Sequence, residues 1–195
     1  TELLFCMQNT KRNTIFTSYF TPDLKDDQMY VTPKTFLENI FGTLARNDRR
    51  YEPIWLSPSN HDFRCFHKYA DIESATFYSN LIPMIRVTEM YYIQAETALK
   101  DGNKKTAAEL LNTVSSHRGI PETSFYYLTE NDMDEQFYSH IESEYYKEFY
   151  GEGQVYFYHK RMKSDQMFPG YGGASVAVNA SAMYNIPIPN IETDI

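Results

Sequence analysis

Three carboxylates fall at four-residue intervals, Glu144, Glu148 and Glu152, in the stretch ESEYYKEFYGEG. Paired acids are the currency of glycoside hydrolysis, in which one protonates the leaving oxygen while the other acts as base or nucleophile. Residues four apart on a helix lie side by side and point the same way, whereas such acids must face a substrate from opposing walls. The row therefore reads as charges along a helix face. His61, Asp62 and His67 are metal-ligand types, but a six-residue separation in a loop matches no regular ligand spacing, and no metal is expected. His117, His140 and His159 stand alone along helices and read as surface or packing residues. There is no GxSxG elbow, and PGYGG lacks the Lys-Ser or Lys-Thr that completes a phosphate loop. No catalytic residue and no cofactor are expected.

Aromatic rings in irregular segments are better candidates. A pyranose presents an apolar C–H face that stacks on Trp or Tyr, and hydroxyls that seek amides, carboxylates and guanidinium groups. Trp55, the only tryptophan, lies in a proline-flanked stretch with Tyr51, Asn60, Asp62 and Arg64; Tyr69 and Tyr171 are similar. These seven residues are the expected ligand contacts. The competing reading is that Trp55 plugs the irregular region against the helices.

The elements that would carry these residues are mostly helical. Leu3 to Met7 reads as a strand with no evident partner, and Thr32-Pro33 opens a short helix to about Ala45 with Phe36, Leu37, Ile40 and Phe41 on one face. Asn47 to Leu81 shows no periodicity. From Pro83, Met84, Val87, Tyr91, Ala95 and Ala98 share a helical stripe; Asp101-Gly102-Asn103 stops that helix and caps the next, Lys104 to His117, with Ala107, Leu111 and Val114 inward. Alanines at the seam permit a close, tetratricopeptide-like hairpin, which alone has too few neighbours to bury its faces. Asp132 and Glu135 suggest a capping box for a third helix, in which Phe137, Ile141, Tyr145 and Phe149 recur up to Gly151. QVYFYHKRMKSD adds one or two turns, and PGYGGASVAVNAS leads to an extended NIPIPN. The expected fold is mainly α: a helical hairpin plus further helices, long irregular loops and little β-strand. It reads as one unit over 1–195, with a loop-rich region at 1–80, a helical core at 81–165 and an extended segment at 166–195.

Composition narrows the partners. A net charge of −8 and pI near 5.1 repel a phosphate backbone, so nucleic acid is not expected. The 17 tyrosines and 13 phenylalanines suit cores, interfaces and sugar platforms alike. Cys6 and Cys65 permit at most one disulfide and leave the pairing open. No stretch is apolar enough to span a membrane, and TELLFCMQN lacks the features of a signal. The chain reads equally well as a piece of a longer precursor.

Taken in order, several segments resemble the SusD/RagB family, nutrient-binding outer-membrane lipoproteins of Bacteroidetes. They are Arg86 and Glu89 with Glu96; Ala107, Leu111, Asn112 and Arg118; Glu144, Glu148 and Gly151-Glu152-Gly153; Tyr156-Phe157 with Lys160-Arg161; and Ile186-Pro187-Ile188-Pro189 with Glu192. The match covers most of 81–192, with weaker echoes at Glu2-Leu3-Leu4-Phe5, at Asn47-Asp48-Arg49-Arg50 and at Lys68-Tyr69. Tyr145 and Tyr146 stand where members usually carry arginines, and Tyr158 where they carry aspartate. These departures imply that aromatic packing has replaced a charged network around the third helix.

The resemblance implies a truncated SusD-like fold and non-catalytic capture of an oligosaccharide or other nutrient. It further implies a SusC-like TonB-dependent transporter as partner, and a place on the cell-surface side of the outer membrane through an N-terminal lipid anchor absent from this chain. Two alternatives stay open: a protein-binding helical scaffold with a face lined by Tyr91 and Gln94, and a glycoside hydrolase acting through Glu144.

Overall fold

The computed structural model describes residues 2–32, 34–70, 80–167, 176, 177, 179, 183 and 184. In chain order the elements are β1 (Leu3–Gln8), α1 (Arg12–Tyr19), α2 (Lys34–Phe41) with a 3-10 turn at Gly42–Leu44, α3 (Tyr51–Ile54), β2 (Trp55–Leu56) and β3 (Cys65–Phe66). Then come β4 (Leu81–Arg86), α4 (Val87–Lys100), α5 (Lys104–His117), α6 (Asp134–Phe149), α7 (Gln154–Met162), β5 (Gln166–Met167) and β6 (Val176–Ala177). The fold is mainly α, and among the described residues the strands form three two-stranded antiparallel ribbons, β1–β4, β2–β3 and β5–β6.

The α4–α5 hairpin forms as its residues dictate. Gly102 takes φ +76°, open to glycine at little cost, and Asn103 Oδ1 accepts from Thr106 N at 3.2 Å to cap α5. Ala95 of α4 and Ala107 of α5 are fully buried, and their small size lets the helices close on Leu99, Leu111 and Val114. The buried face of α4 differs from expectation: it is Thr88, Tyr92, Ala95, Glu96 and Leu99, so only Ala95 of the expected stripe is fully inside. The helix also starts later than Pro83, because 81–86 pairs with β1 (Gln8↔Leu81, Cys6↔Pro83, Leu3↔Arg86). A two-stranded ribbon leaves each strand an outer edge where a proline needs no donor. This ribbon supplies the partner of the N-terminal strand. Cys6, opposite Pro83, and Cys65, with its Sγ 3.6 Å from Met29 Sδ, are both free thiols.

Helix α6 lies between two cores. Phe137, Ile141, Tyr145 and Phe149 pack with α4, α5 and Tyr158 of α7, while Tyr146 joins Phe36, Leu37, Ile40, Phe41, Trp55 and Phe66. From Glu144 to Phe149 every residue of α6 is buried, so the helix has no solvent face there. Its N-terminus is capped by Gln136, whose Oε1 accepts from Met133 N at 2.8 Å, in place of the expected Asp132–Glu135 pair. Asp132 instead closes the preceding turn, accepting from Thr129 N and Oγ1. Gly151 follows with φ +76°; a Cβ there would meet the Phe66 ring at 3.0 Å. Helix α7 is nine residues, longer than the expected one or two turns. PGYGG, with Tyr171, and NIPIPN lie outside the described residues.

Candidate functional site

With the 144–149 stretch of α6 enclosed, its carboxylates require partners inside the protein. Glu144 receives Arg50 on both oxygens (Nη1–Oε2 2.8 Å, Nη2–Oε1 3.0 Å), together with the hydroxyls of Tyr92 and Tyr126 at 2.7 Å each. Lys147 Nζ donates to Tyr126 Oη and lies 3.3 Å from Glu144 Oε1. Arg50 also grips Asp48 through Nε and Nη2 (2.9 and 2.7 Å) and reaches Glu148 Oε2 at 3.0 Å. Glu148 is held further by Arg118 (Nε–Oε2 3.0 Å, Nη2–Oε1 2.9 Å) and by Arg86 Nη1 at 2.6 Å. Glu152 has Lys68 Nζ at 2.5 Å and Arg86 Nε at 3.1 Å, ion-pair distances without hydrogen-bond alignment. Arg118 continues to Glu2 at 2.7 Å.

The result is a seam of five carboxylates against five cations, drawn from Glu2 just before β1, from β4 and α6, and from four loops. It corrects the expectation that tyrosines had replaced this charge: Tyr145 and Tyr146 point into the two cores, and the arginines arrive from elsewhere. Arg86, at the end of β4, pairs with both Glu148 and Glu152.

Electrostatics inside the seam work against an acid role for Glu144 and Glu148. Burial alone would raise the Glu144 carboxyl, but Arg50 and Lys147 hold it well below the usual carboxylate range. Glu148 is likewise lowered against its burial by Arg50, Arg86 and Arg118. A general acid needs a raised pKa and contact with substrate, whereas Glu144 is lowered and wholly enclosed.

The expected ligand residues are dispersed. Trp55 is 2% exposed, its indole 4.9 Å from Tyr150 and 5.3 Å from Phe66 between ring centroids, so it offers no face to a sugar and acts as the core plug. Tyr51, half-buried against Phe41, carries the Arg64 guanidinium 4.3 Å from its ring centroid. Arg64 donates to Trp55 O (2.6 Å) and to Glu52. Asn60 donates to Pro22 O, and His61 joins Asp26 and Pro22 O, which pins the 57–64 excursion to the 22–26 loop. Asp62 is exposed, while Tyr69 donates to Gly151 O at 3.2 Å. The structure thus sets Arg64 against Tyr51 and Trp55, and Tyr69 packs on the same core through Phe66. Among the described residues no group of three His, Cys, Asp or Glu is disposed to hold a metal ion.

The model of the SusD family matches residues 9–192. The chain belongs to the SusD family. Comparison with curated proteins and with solved structures gives no match. SusD family proteins are non-catalytic carbohydrate-binding proteins with a general role in nutrient uptake, associated with the outer membrane. Among the described residues no helix is long and apolar enough to cross a membrane.

Several of the described residues that carried the SusD resemblance turn out to be ties of the scaffold. Arg86, Arg118, Glu144, Glu148 and Glu152 form the seam. Asn112 fastens the 121–131 loop by holding Leu128 N and O (3.0 and 2.7 Å). Arg161 crosses to Glu96 at 2.5 Å, so α7 is bound to α4. Sequence reasoning met Arg50 and Lys68 only as weaker echoes of the family, gave them no role, and missed Lys147. The available signal was a helix with aromatics on both sides of its glutamates, which leaves no solvent face for them.

Proposed function

We propose that this chain captures a glycan on the outer surface of the outer membrane and passes it, covalently unchanged, to a SusC-like TonB-dependent transporter. The observation that carries this reading is the sealed seam: every acid of the row is spent on a cation, so the molecule has a rigid frame and holds its ligand only through surface groups. On the 51–64 excursion these are the Arg64 plane braced by Tyr51, the amide of Asn60 and the exposed carboxylate of Asp62. They suit the hydroxyl edges of a sugar, with hydrogen bonding in place of stacking on Trp55. Tyr69 and Tyr171 remain further contacts in the same proposal.

The test is calorimetry of the chain against a panel of plant, fungal and host oligosaccharides. Binding of at least one, weakened several-fold in Arg64→Ala at unchanged stability, supports the reading. Silence across the panel, or turnover of any member, would sink it. A protein-binding scaffold has less support. The hollow between α4 and α5 lined by Tyr91 is only ≈ 180 Å³, and its guanidinium, Arg118, is committed to Glu2 and Glu148.

A further inference from the structure

The loop linking α5 to α6 arches over one flank of α6 and leaves a hollow of ≈ 350 Å³, at the small end of ligand pockets. Its two walls differ in chemistry. Phe125 and Tyr126 form one; Gln136, Ser139, His140 and Ser143, spaced three and four apart on a single helix face, form the other. Phe125 is 83% exposed, yet its surroundings are fixed. Asn112 holds Leu128 by two bonds, Ser124 Oγ accepts from Tyr126 N, and Tyr127 Oη donates to Ile120 O. Tyr126 is itself locked, its hydroxyl donating to Glu144 and accepting from Lys147. The rim is therefore pre-organised, and a ligand would not have to order it.

On the helical wall His140 is 6% exposed, lies with its ring 4.2 Å from that of Tyr126, and among the described residues has no hydrogen-bond partner for Nε2. Burial depresses its pKa to about 4, so at neutral pH the ring is uncharged, with one donor and one acceptor nitrogen. An enclosed imidazole nitrogen without a partner is costly, and a ligand hydroxyl that draws the ring toward the hollow it lines relieves that cost. Gln136 spends its oxygen on Met133 N, which leaves its amide nitrogen to donate.

We propose that this hollow is a second carbohydrate subsite sized for one pyranose ring, with the ring's C–H face on Phe125 and its hydroxyls on His140, Gln136 and Ser139. An apolar wall facing a hydrogen-bonding wall is what a sugar ring requires; an apolar side chain from a protein partner would leave the helical wall unsatisfied. The proposal rests on the glycan-binding reading above and locates contacts away from the 51–64 excursion.

The experiment uses the chain as it stands, with methyl glucoside, mannoside, galactoside and xyloside and the corresponding hexasaccharides as probes. Binding is followed by calorimetry and by the His140 ring-nitrogen resonances. Phe125→Ala, at an exposed position, and Ser139→Trp, which fills the hollow, are each expected to weaken the binding hexasaccharide about tenfold, the order set by losing one stacked ring. The His140 resonances are expected to shift on binding in the wild type. Hexasaccharide binding that is equal in the wild type and both variants, with His140 unmoved, overturns this subsite and leaves the functional reading intact. No binding of any probe to the wild type overturns both.

Discussion

Arg50 is the test of whether the seam holds the fold together. Its guanidinium makes five hydrogen bonds to Asp48, Glu144 and Glu148 while only 6% exposed. In Arg50→Ala, Glu144 keeps Lys147, Tyr92 and Tyr126, and Glu148 keeps Arg86 and Arg118. Asp48, 3% exposed, loses its cation. Removing one partner of a buried ion network costs about 3–5 kcal/mol, a large share of a total stability of roughly 5–15 kcal/mol. Urea unfolding at pH 7, read from the emission of the buried Trp55, is expected to show that loss. Arg64→Ala, which breaks a pair whose Glu52 side chain is 70% exposed, should cost less than about 1 kcal/mol. Acid gives a second readout. A carboxylate lowered in the fold contributes stability that is complete above its unfolded pKa and disappears as pH falls through the folded value. Without Arg50 the Glu144 and Glu148 pKa values rise, so acid unfolding moves to higher pH. Neutralising the orphaned acids as well, Asp48→Asn with Glu144→Gln, should recover part of the loss. If Arg50→Ala matches Arg64→Ala, the seam is ornamental and the reasoning fails.

His140 titrates near 4 in the fold and near 6.5 when free, so the unfolded chain takes its proton first; stability should fall by roughly 3 kcal/mol as pH drops across that window, and His140→Phe should flatten this part of the profile. Gly151→Ala meets both a positive φ and the Phe66 ring, and should cost roughly 1–3 kcal/mol in thermal or urea unfolding. Trp55→Ala should cost about 3–5 kcal/mol through the cavity it leaves, measured by far-UV dichroism during denaturation; loss of ligand binding in that variant without loss of stability would restore the indole as a sugar platform.

What the sequence revealed and what it hid divide along physical lines. The bounds of α5, the cap at Asn103 and the inward face Phe137, Ile141, Tyr145 and Phe149 depend on residues within a turn or two of one another, and those were legible. The stripe of α4 was not, because Tyr92 turns inward with its hydroxyl on Glu144, and nothing local to α4 records that acceptor. Trp55 could be read as loop or plug until the β2–β3 ribbon and α2 closed around it. The seam was hidden for the same reason on a larger scale: Arg50 lies 94 positions from Glu144, and Arg86 lies 62 from Glu148. Such separations also explain why family resemblance identified the frame and left the ligand contacts open. Charges that must neutralise one another inside the fold cannot vary singly, whereas Phe125 or Arg64 can change without exposing a buried ion. On the proposed reading, ligand specificity belongs to surface groups such as these, and the seam's part is to hold the frame that carries them.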